Sequence, residues 1–151
     1  MTSSRPLNVV IVEDEAILAM QLENMLEDAG HVTVGWATCL SEAEELMRDV
    51  AADLAFVDVH LSDGITGITG IAVADLFRQQ HGTSVVFMTA NPKLLPDDFA
   101  GAVGVIAKPY TSSGVMAVLN YLHQGISAPP PVSTRPNGLT LAPHYQQTWS
   151  A

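Results

Sequence analysis

Residues 7–15 read Leu-Asn-Val-Val-Ile-Val-Glu-Asp-Glu, an apolar run that breaks abruptly into three acids, Glu13, Asp14 and Glu15. Six residues are too few for a buried helix. Their nearly continuous apolar character suits a strand covered on both faces, as in a parallel sheet. The same texture recurs at Val32–Trp36, Leu54–Val57, Ser84–Met88 and Val103–Ala107. Five such runs, spaced widely enough for a helix between each pair, predict a doubly wound α/β sheet.

The intervening segments carry helical spacing. Leu18, Leu22, Met25, Leu26 and Ala29 fall on one face, with Gly30 placed to end the helix. Ser41-Glu42-Ala43-Glu44 has the form of a capping box ahead of Leu46, Met47 and Val50. Ile71–Phe77 predicts an apolar helix. Thr111 is placed to cap a helix whose inner face is Val115, Val118, Leu119 and Leu122. Pro92, Pro96 and Gly101 crowd the segment between the last two strands, which is expected to be among the least stable parts of the domain.

Composition sets the outer bounds. The 151 residues hold 16 acids against 6 bases, a net charge of −10, with 48% hydrophobic residues. That apolar share supports one core, and the negative charge disfavours nucleic acid and anionic membrane surfaces. The single cysteine, Cys39, excludes an internal disulfide and a Cys-rich zinc site, which fits a reducing, cytoplasmic setting. The N-terminus lacks the apolar core of a signal peptide, and no apolar stretch has the length of a membrane span. The chain divides into a folded domain, residues 1–124, and a tail, residues 125–151. The tail holds five prolines and one charge, Arg135, and is expected to be flexible.

In a doubly wound sheet, ligands bind beyond the carboxyl ends of the strands. Here those ends deliver Glu13 and Asp14, Asp58, Thr89 and Lys108. Strand two ends in Trp36-Ala37-Thr38 without charge, as expected of an edge strand remote from a site. Three clustered carboxylates need a counter-ion, and hard oxygen donors with room for phosphate oxygens suit Mg²⁺. A phosphoryl group brings about two further negative charges, so phosphate chemistry on this rim requires the metal. Asp58 is then the candidate nucleophile, Lys108 the charge stabiliser and Thr89 a hydroxyl donor to a phosphoryl oxygen. Glu15 is read as a solvated residue of the first helical turn. His31, His81 and His123 are read as surface residues at element ends. No partner histidine stands at metal spacing from His60, whose side chain is expected to face outward.

Four segments, Val9–Glu15, Phe56–Leu61, Phe87–Ala90 and Lys108–Tyr110, fall in order at successive strand ends. Together they resemble the receiver domain of two-component response regulators. The resemblance implies a flavodoxin-like (βα)5 fold, strand order 2-1-3-4-5, with helices on both faces. It implies Asp58 as phosphoacceptor, Asp14 as direct Mg²⁺ ligand, Glu13 as a ligand through water and the main-chain carbonyl of His60 completing the metal site. Thr89 is then the conformational reporter and Lys108 the phosphate clamp, preceding a Lys108–Pro109 bond that is usually cis in the family.

Three departures stand out. Val105 occupies the place of the usual switch aromatic, so Asn91–Gly104 is expected to carry the conformational change. The loop Ser62–Gly67 lacks the common proline. Phe87-Met88-Thr89-Ala90 is similar in part to a receiver subclass with the signature Phe-Ala-Thr-Gly.

The implied function is that of a stand-alone receiver. It takes phosphate from a sensor histidine kinase or phosphotransfer protein, catalyses only its own phosphorylation and dephosphorylation, and signals by binding a downstream protein. The output surface is expected across the last two helices and the strand between them. The tail is too short and too poor in bases to be a DNA-binding helix-turn-helix. Tyr145 and Trp149 in it are candidate partner anchors. The alternatives are a Mg²⁺-dependent phosphohydrolase, for which Glu13-Asp14-Glu15 lacks the Asp-x-Asp pattern, and a constitutive pseudo-receiver.

Overall fold

The computed structural model describes residues 6–59, 74–76, 79, 83–89, 102–108, 111–127 and 139–141. Within them, β1 (Asn8–Val12) leads to α1 (Ala16–Asp28) and β2 (Val32–Ala37) to α2 (Leu40–Asp49). Next come β3 (Leu54–Asp58), β4 (Ser84–Thr89) and β5 (Gly104–Ala107), then α3 (Ser112–Ser127) and β6 (Leu139–Leu141). The sheet order is β2-β1-β3-β4-β5-β6. The first five strands pair in parallel, and β6 joins β5 antiparallel. Each predicted strand is present within a residue of its expected ends.

The double coverage read from β1 is explicit in the packing. Val9 and Ile11 enter one core with Leu22 and Leu26 of α1 and with Val115, Val118, Leu119 and Leu122 of α3. Val10 and Val12 enter the other with Ala43 and Met47 of α2 and with Ala74. Successive residues of a strand point to opposite faces, so a strand between two helix layers must be apolar at both parities. Phe56 and Val57 of β3 and Met88 and Phe87 of β4 divide in the same way.

The helix ends show which local signals prevailed. Gly30 has φ +86°, and the His31 N–H donates to the Leu26 carbonyl at 2.9 Å while the Gly30 N–H donates to that of Glu27 at 2.9 Å. This is a Schellman ending, which favours glycine at the left-handed position. Thr111 caps α3 as expected, its Oγ1 accepting the Gly114 N–H at 3.0 Å. The capping box of α2 differs from expectation. Its N-cap is Cys39, and the Glu42 carboxylate turns back to accept both the Thr38 N–H at 2.7 Å and the Thr38 hydroxyl at 2.6 Å. Ser41 therefore lies inside the helix rather than capping it. Glu15 stands at the extended N-cap position of α1, one residue before the first turn.

Two further expectations are corrected. His31 is buried rather than superficial, because its Nδ1 accepts the Leu7 N–H at 3.1 Å and its ring packs edge-on against His123 at 4.8 Å. The tail reading does not hold for Leu139–Leu141, which forms β6, and α3 runs past residue 124 to Ser127. Leu-Thr-Leu alternates as a strand should, and Leu139 finds an apolar site against β5. Ala74–Leu76 is helical, in keeping with the helix predicted over Ile71–Phe77. The rest of that helix, the Ser62–Gly67 loop, His81 and residues 91–101 lie outside the described residues, as do Pro109, Tyr145 and Trp149.

Candidate functional site

Parallel pairing sets the heights of the strand ends. Val12 is level with Val57, and Asp58 is level with Met88. Thr89, the next residue, is level with Ala107 on β5, which immediately precedes Lys108. The polar residues that end each strand therefore emerge along one rim, and the apolar strands beneath hold them there.

Glu13 and Asp58 are buried and Asp14 is half-buried. One carboxylate oxygen from each of the three lies within 4.8 Å of the others. Lys108 reaches across from the end of β5, its Nζ donating to Asp58 Oδ2 at 3.1 Å and to Glu13 Oε1 at 3.3 Å. The lysine N–H donates to the Thr89 carbonyl at 2.9 Å, which ties its backbone to the end of β4. Thr89 itself is 1% exposed.

The electrostatics follow from burial and from sign. Desolvation, a hydrogen bond with Asp58 and the Asp58 charge together push the Glu13 carboxyl up from 4.5 to about 8, although Lys108 pulls it down. Burial pulls the Lys108 ammonium down, but the combined attraction of Asp58 and Glu13 outweighs it and holds the group above its ordinary value. One ammonium thus faces three carboxyl groups, and burial beside Asp58 holds that of Glu13 well above the ordinary carboxylate range. All three acidic groups offer hard oxygen atoms, and their spacing permits a shared ion, so the donor set fits Mg²⁺ and not a softer metal.

Of the residues singled out from sequence, Glu13, Asp14, Asp58 and Lys108 are gathered into this cluster, and Thr89 stands on the same rim. His60 lies outside the described residues. One contributor was not legible. Trp36 Nε1 donates to the Glu13 carbonyl at 2.8 Å, so the edge strand β2 helps to fix the backbone of a site carboxylate. The Glu13 N–H also donates to the Ala37 carbonyl at 3.0 Å. An indole in an uncharged strand carries no sequence signal of such a role, and strand two had read as remote from the site.

The response regulator receiver domain profile matches residues 9–120. The phyllosphere-induced regulator PhyR of Methylorubrum extorquens is 33% identical over 114 residues, which cover 74% of this chain and 42% of that protein. The chemotaxis protein CheY of Thermotoga maritima is 27% identical, with 74% of this chain and 93% of that one covered. The solution structure of the PhyR receiver domain of Erythrobacter litoralis superposes with a TM-score of 0.69 at 27% identity, covering 85% of this chain and 97% of that one. The chain spans less than half the length of the Methylorubrum PhyR. The sheet of parallel strands in the order 2-1-3-4-5 is the one these receivers share, and the chain belongs to the receiver domain family of response regulators.

Proposed function

We propose that this receiver is a phosphorylation switch in which Asp58 accepts a phosphoryl group from a sensor histidine kinase or a histidine phosphotransfer protein. The observation that carries the reading is the position of Asp58, within 4.8 Å of two further carboxylates and 3.1 Å from the Lys108 ammonium. An Asp58 oxygen bonds to phosphorus as the bond from phosphorus to the donor imidazole breaks, and the electron pair leaves with the imidazole. Lys108 stays protonated throughout and turns from the carboxylate to an oxygen of the transferred group. The Thr89 hydroxyl donates to the same group. Asp14 and Asp58, Glu13 through water and the main-chain carbonyl of His60 would hold Mg²⁺, which when bound would supply the positive charge that a phosphoryl group needs on this rim.

The output is a change in protein binding, since the added charge biases a two-state surface. Val105, where an aromatic switch residue is usual, is a small buried residue of the α2-side core. The reading makes the chain a catalyst only of its own phosphorylation and dephosphorylation, working in the cytoplasm. No helix among the described residues is long and apolar enough to cross a membrane.

Wild type and Asp58→Asn, incubated with acetyl phosphate with and without Mg²⁺ or chelator, test the reading by intact mass. One phosphoryl group is expected on the wild type, only with metal, and none on the variant. Incorporation into Asp58→Asn, or metal-independent incorporation, rejects the assignment. A wild type that takes up nothing supports a constitutive binding module instead.

A further inference from the structure

We propose that the outer edge of β5 is a strand-addition site for an extended peptide, filled in cis by the chain's own Leu139–Leu141. Three independent observations support it. First, β6 is the edge strand beyond β5 and, among the described residues, the one antiparallel member of the sheet, pairing Ile106 with Leu139, Val105 with Thr140 and Gly104 with Leu141. Without it, β5 presents a row of unpaired amides and carbonyls, the template that strand addition uses. Second, Leu139 is 2% exposed and packs in the core shared by α1 and α3, whereas Thr140 faces solvent. The edge thus offers an apolar socket beside a wet position, which selects an apolar residue followed by a polar one.

Third, β5 is built for the close approach of another backbone. A Cβ placed on Gly104 would lie 2.7 Å from the Thr140 carbonyl oxygen and 3.1 Å from Leu139 Cδ1. The three nearest atoms all belong to β6, so the absence of a side chain at position 104 serves the added strand. The grip is short: three residue pairs, with Leu139 buried, at the far end of the proline-rich stretch Pro129–Pro136. An occupant held so briefly exchanges with a competitor. The partner is therefore a protein segment in extended conformation with an apolar residue followed by a polar one. It is neutral or basic, because a chain of net charge −10 repels acidic peptides. The inference does not depend on phosphorylation of Asp58.

The test uses the full chain and a fluorescent peptide of residues 135–144, RPNGLTLAPH. Leu139→Asp should vacate the edge. The peptide should bind that variant saturably and at least about tenfold more tightly than wild type, whose edge is occupied (about 1.4 kcal/mol). Adding Gly104→Ala should abolish binding, because the new methyl blocks any added strand. Equal binding to wild type and Leu139→Asp overturns the proposal, as does no binding to a folded Leu139→Asp. Should Leu139→Asp fail to fold, hydrogen exchange on Gly104→Ala alone decides. Loss of amide protection confined to residues 104–106 and 139–141 supports the proposal. Unchanged or global loss of protection overturns it.

Discussion

At the scale of the residue, the site works by opposing burial against charge. Glu13 is 1% exposed, and a carboxylate so placed is costly unless paired, protonated or metal-bound. Lys108 meets part of that demand, and the displacement of the Glu13 carboxyl to about 8 shows that it does not meet all of it. The backbone of Glu13 is anchored instead from the opposite side, by the Trp36 indole and by β2. Trp36→Phe keeps the ring's apolar contacts and removes the donor. Urea denaturation should show a loss of about 1 kcal/mol, the usual net value of such a bond. An unchanged midpoint would mean that the Glu13 carbonyl is equally well served by water.

At the scale of the element, two glycines make opposite demands. Gly30 ends α1 at φ +86° with nothing near its would-be Cβ, so its need is conformational alone. Gly30→Ala should therefore cost about 1 kcal/mol, seen as a fall in Tm of roughly 2–4 °C, with the fold otherwise intact. Gly104 has no special φ, and its need is space. The first was legible, because a glycine after a helical pattern marks a C-cap. The second was not, because the strand that approaches it lies more than thirty residues further along the chain. The start of α2 shows a nearer limit. Ser41 stands three residues before Glu44, the capping-box spacing, but the helix starts after Cys39, and the path of the chain out of β2 brings Thr38, four residues before Glu42, against that carboxylate instead.

At the scale of the molecule, His31 ties the end of α1 to the start of β1 and to α3, through the Leu7 amide and His123. Burial, then the neighbouring His123, lower its pKa below 6.5 in the fold. The unfolded chain consequently takes up this proton first as pH falls. Stability from this residue is complete above about pH 6.5 and declines as pH drops through that value towards the folded pKa. Thermal melts at pH 7.5 and 5.5 should show the loss. His31→Asn, whose side-chain oxygen can still accept the Leu7 amide but does not titrate, should flatten the profile in this window. An identical pH dependence in both proteins would place the titration elsewhere.

Sequence alone determined the parallel sheet, the two helix layers and the rim on which Glu13, Asp14, Asp58, Thr89 and Lys108 stand. Strands buried on both faces must be apolar throughout, so every charge at a strand end is conspicuous against them. Tertiary structure alone decided that Trp36 supports Glu13, that His31 is interior and that Leu139–Leu141 closes the edge of β5. Each of these depends on which distant surface a single indole, imidazole or three-residue strand meets, and no local pattern of residue types encodes that meeting.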